Sequence, residues 1–341
     1  MRSATLQFVK RTAIVVTLAW LPLLAWYLRD FLLIVVGSLL VAIMLRLVNE
    51  PFVRWCRLPE GLAMALAVVL VLLAVVGSGY FFGTHLTFEL QDVFSRADKA
   101  ISTITGELQH SQIGRLALAH GGGDFSLTSF LGSLVTLSAR LLEATILTVA
   151  AGVYLAVQPA VYRKGAAYLL PPRQRELGEQ TIDDIARALR LWLLGQAIQM
   201  CLIGALSTAA VWLIGLPSPF ALGAIAGLTE FVPYLGPVIA SIPAILVAVT
   251  IGFYPALWTI IAYIVIHQVE GNLIVPIIER RLVFVPPALL LLSIVAVTEI
   301  FGMIGIVFAA PITVIIFVAV MKLYVRRGLG QPTPLPGETA N

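Results

Sequence analysis

The stretch Thr229-Glu-Phe-Val-Pro-Tyr-Leu-Gly-Pro237 lies in the middle of an apolar run from Phe220 to Phe253. One uninterrupted transmembrane helix would not carry a carboxylate, two prolines and a glycine so close together. Proline lacks a backbone donor, so Pro233 and Pro237 disrupt the helical ladder. The run therefore reads as two half-helices joined by a short break. Non-helical backbone at membrane depth is tolerated only where it is buried in protein or lines a cavity. The expected fold is an all-α polytopic membrane protein whose centre is built from broken helices.

The pattern returns further along. Thr298-Glu-Ile-Phe-Gly-Met-Ile-Gly305 repeats Thr229, Glu230 and Gly236 as Thr298, Glu299 and Gly305, at an offset of 69 residues. At the same offset Pro217 meets Pro286 and Gln199 meets Gln268. Pro243 and Pro311 fall one residue out of register. Apolar matches count for little in so apolar a chain, but shared Pro, Thr-Glu and Gly positions are harder to obtain by chance. Paired helix interruptions in repeated units point to a transporter's binding site.

Composition sets the environment. Of 341 residues, 60% are hydrophobic and 12% charged, and mean hydropathy is +0.98. Several segments exceed the roughly 20 apolar residues that cross a hydrocarbon core. The net charge of +4 reflects basic residues flanking the spans rather than a nucleic-acid surface. Cys56 and Cys201 lie on different segments and suggest neither disulfide nor metal site.

About eight hydrophobic segments are expected. The chain divides into three N-terminal spans (1–84) and an amphipathic polar connector (85–132). A fourth span with an amphipathic segment follows (133–190), then a core of two span-plus-hairpin units (191–325) and a disordered tail (326–341). Basic residues favour the cytoplasmic side. Treating Phe220–Phe253 and Pro287–Val320 as re-entrant hairpins places Arg54, Arg57, Arg163, Arg173, Arg175, Arg280, Arg281, Lys322 and Arg326 all inside, with both termini cytoplasmic. It also makes the C-terminal half an inverted repeat. Eight ordinary crossings are the simpler alternative, at the cost of one violation at Arg280-Arg281.

Ionisable groups within spans cost at least about 2.5 kcal/mol on insertion scales, so each needs a reason. Glu143, Glu230, His267, Glu270 and Glu299 are the candidates. Glu230 and Glu299 share a repeat position at the C-terminal end of a half-helix, where the helix dipole disfavours a carboxylate unless it is protonated or faces a cation. Together with Thr229 and Thr298 they could form one midplane site; alternatively each caps broken backbone. His267, Gln268, Glu270 and Asn272 form a polar stripe that either contacts substrate or bonds neighbouring helices. Pro233, Gly236, Pro237, Gly302, Gly305 and Pro311 mark the hairpin breaks. No HExxH, Walker A or GxGxxG motif supports catalysis or nucleotide hydrolysis. No cofactor is expected beyond a coupling Na+ or H+.

The break Pro233-Tyr-Leu-Gly-Pro237 with Pro243 resembles the one found in the autoinducer-2 exporter family. Gln268-x-Glu270-x-Asn272-x-x-x-Pro276, Pro286, Phe301-Gly-x-x-Gly305 and Ala309-x-Pro311 resemble it too, over about Ala186 to Leu323. Glu230 departs from the pattern, since many members carry an uncharged residue there. The resemblance implies a secondary transporter of the bacterial inner membrane, forming homo-oligomers in the lipid bilayer. Some members are assigned to autoinducer-2 export, and others resemble sodium or lithium–proton antiporters. The substrate would be a small solute or a monovalent cation. A non-transporting scaffold or regulator is the alternative from another class.

Overall fold

The computed structural model describes residues 26–81, 95, 144–281 and 285–331. Most of the expected first span, Glu143, the amphipathic connector and the tail beyond 331 lie outside them. The described residues are helical and contain no strand. In chain order the helices are α1 (Arg29–Arg54), α2 (Glu60–Phe81), α3 (Ala144–Val157), α4 (Pro159–Tyr168), α5 (Arg175–Ile214), α6 (Pro219–Thr229), α7 (Leu235–Ile251), α8 (Phe253–Val269), α9 (Val275–Arg281), α10 (Pro287–Phe301) and α11 (Met303–Val320). Two π-helical turns, Glu270–Ile274 and Met321–Arg326, follow α8 and α11.

Four helical segments are long and apolar enough to cross a membrane: Arg29–Arg54, Pro172–Ile214, Phe253–Ile278 and Met303–Arg326. The pair α3 and α4, bent by 94° at the break between them, makes a fifth only when the two are counted together as one span. Shorter apolar helices, among them α6, α7 and α10, complete the set. Large apolar side chains such as Leu73, Trp212, Phe253 and Leu292 stand exposed on the outside, as lipid-facing positions do. The chain is a multi-pass α-helical membrane protein.

Helix boundaries follow local chemistry. Pro219 and Pro287 open α6 and α10, where a missing backbone donor costs nothing. Gly215 closes α5 in the left-handed conformation, φ +82°, as is common after a helix. The sequence suggests a junction near Arg190, between an amphipathic helix and the fifth span. In the structure α5 runs through it unbroken for 40 residues, because no proline or glycine pair interrupts Asp184–Leu194.

Both interruptions fold the chain back on itself. α6 and α7 pack together across residues 230–234, and α10 and α11 across the single residue Gly302. Thr313 of α11 donates to the Ser293 hydroxyl of α10 at 2.5 Å. These residues lie nearly equidistant from Gly302, as side-by-side antiparallel helices require. The repeat is visible in the boundaries. Shifted by the 69-residue offset, α7 becomes 304–320, against 303–320 for α11.

One core joins the first hairpin to its neighbours. Ile203 and Val211 of α5, Ala221, Leu222 and Ala226 of α6, Ala240, Ala244 and Val247 of α7, and Tyr263 of α8 are buried together. α5 and α6 meet backbone to backbone. A Cβ on Gly227 would lie 2.8 Å from the Met200 carbonyl oxygen and 3.2 Å from the Gly204 Cα. Gly223-x-x-x-Gly227 is thus a small-residue face of the kind that lets membrane helices approach closely. Leu235, at the tip of the first hairpin, packs against Ile294, Val297 and Ala309 of the second.

Candidate functional site: a polar cavity at the first helix break

The first break is built from a strained turn. The Leu235 N–H donates to the Pro233 carbonyl at 2.8 Å, and the intervening Tyr234 has φ +65° and ψ −36°. This is a γ-turn with positive φ at its centre, a rare and strained form. A residue other than glycine persists there only where its surroundings over-determine it. Gly236 supplies the other half. A Cβ on it would lie 2.7 Å from the Thr229 carbonyl carbon and 2.8 Å from the Glu230 Cα. The start of α7 therefore presses directly on the end of α6, and a side chain has no room. Pro237 follows in the first turn of α7, where a proline is tolerated.

Glu230 is the cap residue after α6 and is only 2% exposed. Its main-chain carbonyl accepts a hydrogen bond of 2.6 Å from the Gln196 amide on α5. Its carboxyl faces Glu270, the first residue of the π-helical turn after α8. Glu270 continues the buried face of α8, seven residues after Tyr263 and four after Ile266, and is 8% exposed; the π-turn that begins at it is a form frequent at functional sites. Glu270 also meets His267 Nδ1 at 3.1 Å. Glu230 Oε2 and His267 Nε2 are buried and lack a hydrogen-bond partner among the described residues.

These groups border a cavity of about 440 Å³. α5 contributes Trp192, Gln196 and Gln199; the break contributes Glu230, Pro233, Tyr234 and Pro237. His267, Glu270 and Pro276 form the opposite side, and Pro287 and Leu290 of α10 close an edge. A few polar groups converging on an apolar wall is the usual form of a small-molecule site. No three His, Cys, Asp or Glu side chains among the described residues are arranged to hold a metal ion.

The structure divides the sequence-derived candidates. Glu230, His267 and Glu270 come together. Gln268 and Asn272, on the same stretch, are exposed, and the Asn272 amide donates to the Gln268 carbonyl at 2.9 Å. The expected meeting of Glu230 with Glu299 does not occur. Glu299 is exposed on the last turn of α10 and does not line the cavity. The physical reason lies in the breaks: five residues separate α6 from α7, but Gly302 alone separates α10 from α11. The second tip therefore has no loop in which to turn a carboxylate inward.

Thr229 and Thr298 occupy equivalent positions, and each donates to the carbonyl four residues back, at 2.8 Å to Ile225 and 2.5 Å to Ile294. Gly305 repeats the close approach of Gly236, its would-be Cβ 2.6 Å from the Val297 carbonyl oxygen. Gly302 turns the second tip at φ +72° and ψ −162°, a region essentially reserved for glycine. Pro311 is buried within α11. Two cavity groups escape a reading of the sequence. Gln196 and Gln199 lie one turn apart within the fifth span; polarity is the signal for Gln196, and Gln199 has only its repeat match to Gln268 besides. Nothing in the sequence marks Tyr234 as the residue of positive φ, because Gly236 nearby suits that role better.

The broken helices, the buried acids and the cavity between them are the architecture of a membrane transporter core. The chain fits the sequence profile of the AI-2E family transporters over residues 15–326, and it belongs to that family. It is similar to YrrI of Bacillus subtilis (strain 168), at 31% identity over 48% of this chain and 46% of that protein. It is similar to YueF of the same organism at 23% identity, over 82% of this chain and 81% of that one. The AI-2 transport protein TqsA of Escherichia coli (strain K12) matches at 24% identity over 83% of each chain.

Proposed function

We propose that this chain is a proton-coupled secondary transporter of the bacterial inner membrane, with the cavity beside Glu230 as its substrate and coupling site. The observation that carries the reading is the meeting of two buried carboxyl groups, Glu230 and Glu270, beside an unpartnered histidine nitrogen. Two facing carboxylates out of water repel unless a proton or a cation lies between them. Exchange of that proton for a cationic group, or its loss when the site opens, ties occupancy to the proton gradient. The cargo class is a small polar solute such as autoinducer-2, the molecule named for TqsA, or a monovalent cation. In this reading each hairpin returns to the face it entered from, the first to the outside and the second to the inside, and the termini are cytoplasmic. Thr229 and Thr298 keep the tips helical, and Gln268 and Asn272 sit beside the site rather than in it.

The test is flux in proteoliposomes of the full chain under an imposed pH gradient, with autoinducer-2, Na+ and Li+ supplied in turn. Glu230→Gln and Glu270→Gln should each reduce gradient-driven flux by about tenfold or more, the scale on which one essential acid–base group acts. Exchange at equal pH should survive, because the amide imitates the protonated acid. Full gradient-driven flux in the double variant would remove both residues from coupling. Absence of flux for every cargo in the wild-type chain would favour the scaffold or regulator reading.

A further inference from the structure

A second cavity lies away from the acid pair, where the end of α1, the start of α2 and the end of α3 meet the interior of α5 at Ala186–Arg190. It measures about 590 Å³. Arg46, Arg54, Arg187 and Arg190 line it, against Glu50 and Glu60. Four guanidinium groups facing two carboxylates leave an excess of two positive charges.

The pairing sharpens that imbalance. Glu50 is held by two arginines at once, Arg54 at 2.6 Å on one oxygen and Arg190 on the other. Its single negative charge is thus shared between two arginines. Arg46 donates Nε to the Ala156 carbonyl at 3.2 Å, which neutralises no charge. Arg187 is exposed and has no ion-pair partner among the described residues. Asn49 also lines this cavity, with its Oδ1 buried and without a donor among the described residues. The other walls are apolar, formed by Ile43, Val53, Met64 and Val157.

Val157, in the cavity wall, is the last residue of α3, and beyond it the chain bends by 94° into α4. A span that turns sideways into a short helix with exposed Val161 and Tyr162 does so at the level of the lipid headgroups. Arginine excess, apolar walls and headgroup depth together describe an amphiphile with an anionic head. Basic pockets between transmembrane helices take such heads on the cytoplasmic side, and guanidinium groups suit phosphate oxygens in paired geometry.

We propose that this cavity binds an anionic glycerophospholipid. Its phosphodiester is held by Arg46, Arg54 and Arg187, and an acyl chain lies along the apolar wall of Ile43, Val53, Met64 and Val157. This site is independent of the acid pair, and its occupancy would set the packing of α1 against α5.

The experiment is native mass spectrometry of the full chain in detergent, titrated with dioleoylphosphatidylglycerol, chain-matched dioleoylphosphatidylcholine, or inorganic phosphate. The wild type should prefer phosphatidylglycerol, and inorganic phosphate should neither bind tightly nor compete. Arg187→Gln should lose about fivefold of that preference, and Arg54→Gln with Arg187→Gln about as much again, on the scale of one surface cation near an anionic headgroup. Arg187 is exposed, so the single variant decides the matter even where the double one does not fold. Lys164→Gln with Arg173→Gln, which removes two charges outside the cavity, should keep the preference. Equal binding of the two lipids, an unchanged preference in Arg187→Gln, or an equal loss in the Lys164/Arg173 control would each overturn the proposal. Tight binding of inorganic phosphate alone would overturn it in favour of a soluble anion.

Discussion

The two hairpins begin from nearly the same words and end as different structures. Each carries Thr-Glu at the end of its first helix, and each presses a glycine, Gly236 or Gly305, onto the backbone of its partner helix. Each threonine bonds back into its own helix. The tips then diverge. The first spreads over residues 230–234, strains Tyr234 and buries Glu230 against Glu270; the second closes on Gly302 and leaves Glu299 exposed. The shared residues are those that build a helical hairpin. What is not shared is the loop, and the loop decides whether the carboxyl reaches the cavity. A duplicated scaffold therefore does not imply a duplicated site.

The largest expected effect separates the two glutamates. Under a pH gradient, Glu230→Gln should lose flux by about tenfold or more, whereas Glu299→Gln should stay within about twofold of the wild type, since only a positioned acid–base group contributes on the larger scale. Equal losses would break the comparison and restore a symmetric pair.

A second difference lies in the stored strain. Gly302→Ala forces a side chain into φ +72° and ψ −162°, at a cost of about 1–3 kcal/mol. Tyr234→Gly should go the other way, relieving strain of similar size but offset by the entropy glycine adds to the unfolded chain. Thermal unfolding of the two variants in detergent should show a clear loss for Gly302→Ala and a change near zero for Tyr234→Gly. A large loss in Tyr234→Gly would mean that the side chain, rather than the turn, holds the first tip.

The smallest effect concerns the antiparallel contact inside the second hairpin. Thr313→Val removes the bond to Ser293 and should cost about 1 kcal/mol, read as a modest drop in unfolding midpoint with flux unchanged. A drop as large as that of Gly302→Ala would show the hairpin to be held along its length rather than at its tip.

Much of this architecture is legible in the sequence. Proline and glycine act locally, so Pro233, Gly236, Pro287 and Gly302 place the breaks and the helix starts within a few residues. The 69-residue offset carries over to the helix boundaries for the same reason. The site is less legible. Glu230 meets Glu270 across 40 residues of chain, through the packing of α5, α6 and α8 around one core, and no spacing rule encodes that meeting. No residue type announces the π-turn that begins at Glu270. The equivalence of Glu230 and Glu299 in the repeat suggests partnership, but equivalence along a chain is a statement about ancestry or scaffold, and burial is a statement about packing.

α5 has one more consequence. At about 1.5 Å per residue, its 40 residues reach about 60 Å, twice a hydrocarbon core about 30 Å thick. The protruding half is bolted at two points: Asp184 pairs with Lys322, just beyond the second hairpin, and Asp183 pairs with Arg163 of α4 at 3.0 Å. Twelve residues beyond Asp184 on the same unbroken rod, Gln196 grips the Glu230 carbonyl. A stiff rod clamped at one end and attached at its middle is a lever. A displacement of its outer half would therefore be carried to the Glu230 carbonyl at the cavity wall, past the basic pocket lined by Arg187 and Arg190.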